Sequence, residues 1–371
     1  MKKSLLVCLW MMLGLLPCSA ELYYSDATVC GIQHNERYVY FCRPVGVSVL
    51  EKATGRWTAY TKQNGMLPVD KHYSITLHHD TLLVGGEEGW VTAIRDDWKE
   101  SRQYETVQRI WGDERRFPVT KIVIDERGHM ALLYYIGIDV VIDSSHEEQY
   151  IMPGAVVTDH GSYLYDAVFD GVGNLWIVGD IDNAFWNLSR YSFGGELDCF
   201  LSNLEKPWPF KFGETRCVAV DADKNVWFTP GGQLVVYNGT TYTTYEMGFV
   251  ANDMEFDAQG RLWLAEKKGG LCCFDHGEII RYPYQQDTFQ CLDIDGDVIY
   301  IGTQNGVLKF ENGEITPFEL PDLSTGITPT LASPENSQPA TMFTLGGTAV
   351  TPSSRMTKGV YIENGQKKVV K

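Results

Sequence analysis

Lys121, Asp166, Arg216, Asn252, Asp253 and Gln290 are the residues whose types and placing could do chemistry together. Each falls at the opening of a short stretch in which apolar and polar residues alternate. Two adjacent registers carry them. The first holds Tyr73, Thr120, Tyr165, Arg216, Asn252 and Gln290, and the next holds Ser74, Lys121, Asp166, Asp253 and the thiols Cys30, Cys217 and Cys291. Charged and amide groups in such places are costly to bury unless they are paired or wet. Two readings follow: an internal network centred on Lys121 and Asp166, or a polar cup that holds a ligand. The chemistry in both is ion pairing and hydrogen bonding. No serine elbow, zinc-binding His-Glu pair or phosphate loop occurs in the chain. His78-His79 reads as a solvated turn. Asp293, Asp295 and Asp297 alternate as in a calcium loop, but the later ligands are missing, and a turn is expected there. No catalytic residue, metal or cofactor is expected.

The elements that must position these residues are strands in a repeat. Inner strands are expected at 29–32, 73–77, 120–124, 165–169, 216–220, 252–256 and 290–294. Their spacing is near the ~40–50 residues of propeller blades. Asp125, Asp170, Asp221, Asp257 and Asp295 open tight turns after five of them, where a short carboxylate can bond its own backbone. A second strand follows, with a large residue at one register: Tyr40, Leu83, Trp176, Trp227, Trp263 and Tyr300. Third strands start near a glycine, and the outer strands are aromatic-rich. The expected fold is all-β: a seven-bladed propeller over 21–320, with four antiparallel strands per blade, plus a small C-terminal β hairpin module. A β-sandwich would not explain a seven-fold repeat. Ligands of propellers gather at the channel mouth where inner strands begin, so the polar cup is placed there by analogy of fold. The turns around Glu87-Glu88, 180–182 and Lys267-Lys268 would crown the same face.

Composition adds bounds. The formal charge is −17 and the pI near 4.9, which argues against nucleic acid and anionic lipid as partners. Residues 1–20 read as a signal peptide, with Lys2 and Lys3 ahead of an apolar run and small residues at its end. A lipidated Cys18 is the rival reading. No other stretch is expected to cross or insert into a membrane. Of nine cysteines, Cys8 and Cys18 fall in the leader, leaving seven, mostly inside strand patterns as small buried hydrophobes. Cys30–Cys42, across a hairpin, is the candidate disulfide. After residue 320 a Pro/Ser/Thr-rich stretch, 321–340, reads as a linker. A basic β module follows over 341–371. Its closing hairpin pairs 360–362 with 367–370 around Asn364-Gly365.

Two stretches, Asp170-Gly-Val-Gly-Asn-Leu-Trp and Asp257-Ala-Gln-Gly-Arg-Leu-Trp, resemble the two-component-regulator propeller repeat, and 54–68 is similar to that repeat's outer strand and exit turn. The resemblance implies the free-standing secreted members of that group. Residues 225–230 resemble a blade strand of the streptogramin-lyase propellers, which use a His, a Glu and Mg²⁺. The tail is similar to the C-terminal sorting signal of type IX secretion cargo in the Bacteroidetes, carried by Gly359, Val360, Tyr361, Ile362, Lys367 and Lys368. Together these resemblances imply an exported, non-catalytic binding or scaffolding propeller at the cell surface. Its expected partners are a protein or glycan on the propeller face and the secretion machinery at the tail. The alternatives are a periplasmic protein, if the hairpin only packs on the propeller rim, and a propeller enzyme of the lyase type.

Overall fold

Each inner strand is short because an Asp-led turn or a two-residue hairpin stops it, and the next strand then has nowhere to pair but alongside. The computed structural model shows the outcome. It describes residues 24–323 apart from 96–97, 105–107, 111–112, 135–136, 144–145, 152–162, 181–186, 193–196, 202–208 and 211–212. In the tail it describes 342–344, 349–350, 359–363 and 366–370. The leader, Asp182 and most of the linker lie outside the described residues.

The propeller unit contains seven four-stranded antiparallel sheets, and in each the spatial order is the chain order. The inner strands are Gly31–His34, His72–His78, Val119–Ile124, Tyr163–Phe169, Val218–Val220, Ala251–Phe256 and Phe289–Asp295. Helix among the described residues is a single 3-10 turn, Glu87–Gly89. A two-stranded ribbon, Gln108–Ile110 with Asp113–Arg115, lies between the second and third blades in sequence. The sequence reading did not anticipate it, since neither strand carries an alternating apolar face. Apolar residues from facing sheets form separate clusters between neighbours. Leu262, Leu264 and Cys272, for example, pack with Cys217, Leu234 and Ala251. The tail is described by itself: a four-stranded sheet in which Gly359–Glu363 pairs with Gln366–Val370, Tyr361 opposite Lys368.

The Asp-led turns do more than bend the chain. One oxygen of Asp257 accepts the Gln259 and Arg261 backbone N–H groups, at 3.0 and 2.9 Å. The other accepts the Arg261 guanidinium at 2.6 Å and the Trp263 indole N–H at 2.9 Å. Asp170 treats Asn174 and Trp176 in the same way, and Asp221 does so with Asn225 and Trp227. So the turn aspartate, the side chain four residues on and the tryptophan six residues on form one latch, which satisfies the buried indole. Burial works to raise the Asp257 carboxyl, but the bonds from Trp263 and Arg261 outweigh it and hold it below its usual value. Asp125 keeps the turn and bonds His129, but Ala131 stands where the tryptophan would be. Asp295 breaks the pattern. It pairs in register with Val298 across a two-residue hairpin, and its carboxylate goes to Lys52 and His34. Asp257→Ala leaves an indole and two backbone N–H groups unpaired, and about 2 kcal/mol of stability is expected to go. The latch titrates below an unfolded aspartate. Its contribution is therefore complete above about pH 4 and fades as acid protonates it. Thermal melts of the pair at pH 7 and in acid measure both effects.

Among the described residues no strand is exchanged between the first and last blades, because each blade is built from consecutive chain. Side chains and a few backbone contacts close the ring. Phe41 of the first blade lies 5.6 Å from Tyr300 and 5.7 Å from Phe318 of the seventh, with Trp57 at 5.8 Å. The Val29 N–H donates to the Thr303 carbonyl at 2.9 Å. His34 bonds Asp293 through Nδ1 at 2.8 Å, and that bond raises the imidazole pKa against the opposing effect of burial. Beyond the last outer strand, the Pro321 carbonyl accepts the buried Arg43 guanidinium at 2.7 Å, and Leu323 is buried.

Candidate functional site

Inner strands alternate, so two successive residues cannot both face the channel unless the ladder is broken. It is broken in five blades. Pairing steps from His72↔Gly86 to Ser74↔Gly85, past Tyr73. It skips Thr120, Tyr165, Asn252 and Gln290 at the equivalent places. Each is the extra residue of a bulge, a device that re-aims a side chain. In the fifth blade Arg216 lies just ahead of the strand, and in the first Cys30 does so.

Those seven residues line one cavity of about 140 Å³, joined by Tyr24, Lys121, Asp166, Asp253 and Cys291. Lys121, Asp166, Arg216, Asn252, Asp253 and Gln290 are thus brought together. The cavity has room for a few waters or a group the size of a side chain, at roughly 30 Å³ per water, and is smaller than the ~300 Å³ and upward of drug-sized ligands.

Cys30 corrects the sequence alignment. It belongs with Tyr73 and Arg216, not with Lys121. Gly31 holds the second register, opposite Cys42, and a Cβ there would stand 3.3 Å from Ile75 Cγ1 of the next blade. The Cys30–Cys42 disulfide is not formed and both thiols are free.

In every blade but the first, the second register fastens the blade to the following one. Ser74 Oγ donates to the Val119 carbonyl at 2.9 Å. Cys217 and Cys291 reach the Ala251 and Val29 carbonyls at 3.7 Å. Asp166 accepts the Val218 N–H at 3.1 Å, and Asp253 accepts the Leu292 N–H at 2.9 Å. Lys121 Nζ sits 2.8 Å from Asp166 Oδ1. Burial pushes the lysine pKa down, but Asp166 and Asp253 outweigh it, so the ammonium is retained. Asp253 is pushed up to about 6 by its burial, with Lys121 opposing and Asp166 reinforcing. Burial raises the thiols of Cys30, Cys217 and Cys291 well above the usual range, so they stay protonated and unreactive.

Arg216 is held differently. Its Nε donates to Glu214, which also accepts Lys267 Nζ at 2.7 Å, and its guanidinium carbon lies 4.5 Å from the centre of the Tyr165 ring. One carboxylate thus serves two cations. Burial works to raise the Glu214 pKa, and those two partners hold it low. Asn252 Nδ2 donates to the Phe289 carbonyl at 2.6 Å, which leaves its buried Oδ1 with no donor. Gln290 Nε2 donates to Thr288 at 3.3 Å. The cavity can therefore orient a polar group between fixed charges. Its lining offers neither a histidine nor a glutamate for proton transfer, and among the described residues no three His, Cys, Asp or Glu side chains converge to hold a metal.

No family model and no curated protein matches the chain. Solved structures match its fold. Virginiamycin B lyase from Staphylococcus aureus aligns with a TM-score of 0.59 at 15% identity, over 77% of this chain and 94% of that one. The extracellular domain of a putative one-component system from B. thetaiotaomicron aligns with a TM-score of 0.57 at 12% identity, over 91% of this chain and 43% of that one. PorZ, an essential bacterial surface component of the type-IX secretion system of Porphyromonas gingivalis, aligns with a TM-score of 0.55 at 13% identity, over 94% and 59%. The chain spans less than two thirds of the last two. At these identities the likeness is one of fold.

Proposed function

We propose that this protein is an exported, non-catalytic propeller that holds a protein or glycan partner at its channel mouth on the cell surface, and that residues 341–371 direct its export. The cavity carries the first part. Each of the seven blades delivers at least one side chain to it, and its charges are held by partners in place, as binding requires. Lys121, Asp166, Arg216, Asn252, Asp253 and Gln290 are its proposed ligand-binding residues. The extracellular and surface propellers of similar fold support the location. A lyase of the same fold exists, but the lyase resemblance implies a His and a Glu, and neither lines the mouth.

The test of binding is capture of partners from the native envelope by the mature protein, with glycan-array binding alongside, repeated with Lys121 and Gln290 replaced. Capture that survives both replacements would move the site elsewhere. The test of export is deletion of 341–371 in the native host followed by fractionation. The truncated propeller is expected to stay in the periplasm, because Gly359, Val360, Tyr361, Ile362, Lys367 and Lys368 would no longer be offered to the secretion machinery. Unchanged surface display would reduce the tail to a packing hairpin.

A further inference from the structure

We propose that the channel mouth is a docking site for the free carboxylate end of a peptide chain, held by the Arg216 guanidinium with Asn252 accepting the neighbouring amide N–H. The inference rests on the binding role proposed for this cavity and names the group that enters it.

Arg216 carries the argument. A guanidinium is a planar fork of donors that matches a carboxylate in two parallel bonds. Here Nε is committed to Glu214, and the ring of Tyr165 supports one face of the plane. Neither Nη meets an acceptor among the described residues, and the side chain is 27% exposed into the cavity it lines. Glu214 is shared with Lys267, so it cannot neutralise both cations.

Asn252 supplies a second, independent observation. It sits on the blade next to Arg216 and lines the same cavity, and its amide orientation is fixed by the bond to the Phe289 carbonyl. The buried Oδ1 is left as an acceptor without a donor, a state that costs free energy until an N–H or water fills it. A carboxylate with an N–H one residue back satisfies both groups. Size agrees, since about 140 Å³ admits the last residue of a chain and little more. Charge decides against phosphate. Asp166 and Asp253 line the same cavity and would repel a dianion more than a monoanion.

The experiment titrates the mature full-length protein with the tripeptide Gly-Gly-Gly as free acid, as C-terminal amide, and against acetate and inorganic phosphate. The Arg216 Nε–H resonance and calorimetry are the readouts. The free acid is expected to saturate the site at millimolar concentration, with the amide at least tenfold weaker and acetate and phosphate weaker than the free acid. Arg216→Met should lower affinity for the free acid at least tenfold. Glu214→Gln, which leaves Arg216 in place and removes its competitor, should raise it. The second variant keeps the test decisive if the first fails to fold. Equal binding of acid and amide, preference for phosphate, or no response to the free acid at tens of millimolar would each overturn the proposal. Envelope partners captured at the mouth despite such a result would leave the binding role standing and remove only the carboxylate.

Discussion

Phe41→Ala should be among the most damaging single changes in the propeller, costing about 4 kcal/mol. Phe41 is fully buried, and its ring is the hub on which Trp57, Tyr300 and Phe318 converge. Elsewhere a large-to-small change between blades leaves a cavity flanked by sheets that the chain also links on either side. At the join of the first and seventh blades no strand crosses. There the void removes packing from the interface that alone closes the ring. The expected signature is a lowered melting temperature together with faster amide exchange at Val29, whose N–H crosses the join to Thr303. Leu264→Ala, within the cluster between the fifth and sixth blades, is the control. Equal exchange at Val29 in both variants would show that the join is no weaker than any other interface.

Asp166→Ala should cost about 3 kcal/mol. The carboxylate is buried and has three partners: Lys121 Nζ, and the backbone N–H groups of Ala167 and of Val218 on the next blade. Breaking a buried pair from one side typically costs 3–5 kcal/mol, and the lower end applies because Lys121 is 38% exposed and water can reach it. Removing the lysine as well tests the cause. The double variant Lys121→Met with Asp166→Ala should recover part of the loss, since no uncompensated charge remains. If it is as unstable as the single variant, the bond to Val218, and not the ion pair, is what Asp166 contributes.

The number of blades was legible because strand period, turn aspartates and a large second-strand residue recur independently along the chain. The cavity was legible for a related reason: most blades open on polar residues in one or both of two successive registers. What could not be read was how two successive residues face one way. That depends on bulges at Tyr73, Thr120, Tyr165, Asn252 and Gln290, and a bulge leaves no composition signature. Cys30 was misplaced by one residue because it lies ahead of its strand, with Gly31 in the second register. The latch was half legible. Asp257 and Trp263 were both singled out, but a bond across six residues follows only once the hairpin is folded. Asp295 stands at the end of its inner strand as Asp257 does, yet Gly296 at φ 63° closes a shorter turn, which frees the carboxylate for Lys52.

The unexchanged join also bears on the order in which the chain can take shape. A ring sealed by swapping a terminal strand must wait for its last residues before its first sheet is complete. Here every sheet is finished by the stretch that contains it. Blades can therefore form one after another as the polypeptide emerges from a ribosome or a membrane pore, each offering a face to the next. Only the join of the first and seventh blades, where Phe41 meets Tyr300 and Phe318, has to wait for the far end. For a chain delivered lengthwise, that leaves one slow encounter between ends roughly 260 residues apart, and loop-closure entropy grows only slowly with such a length.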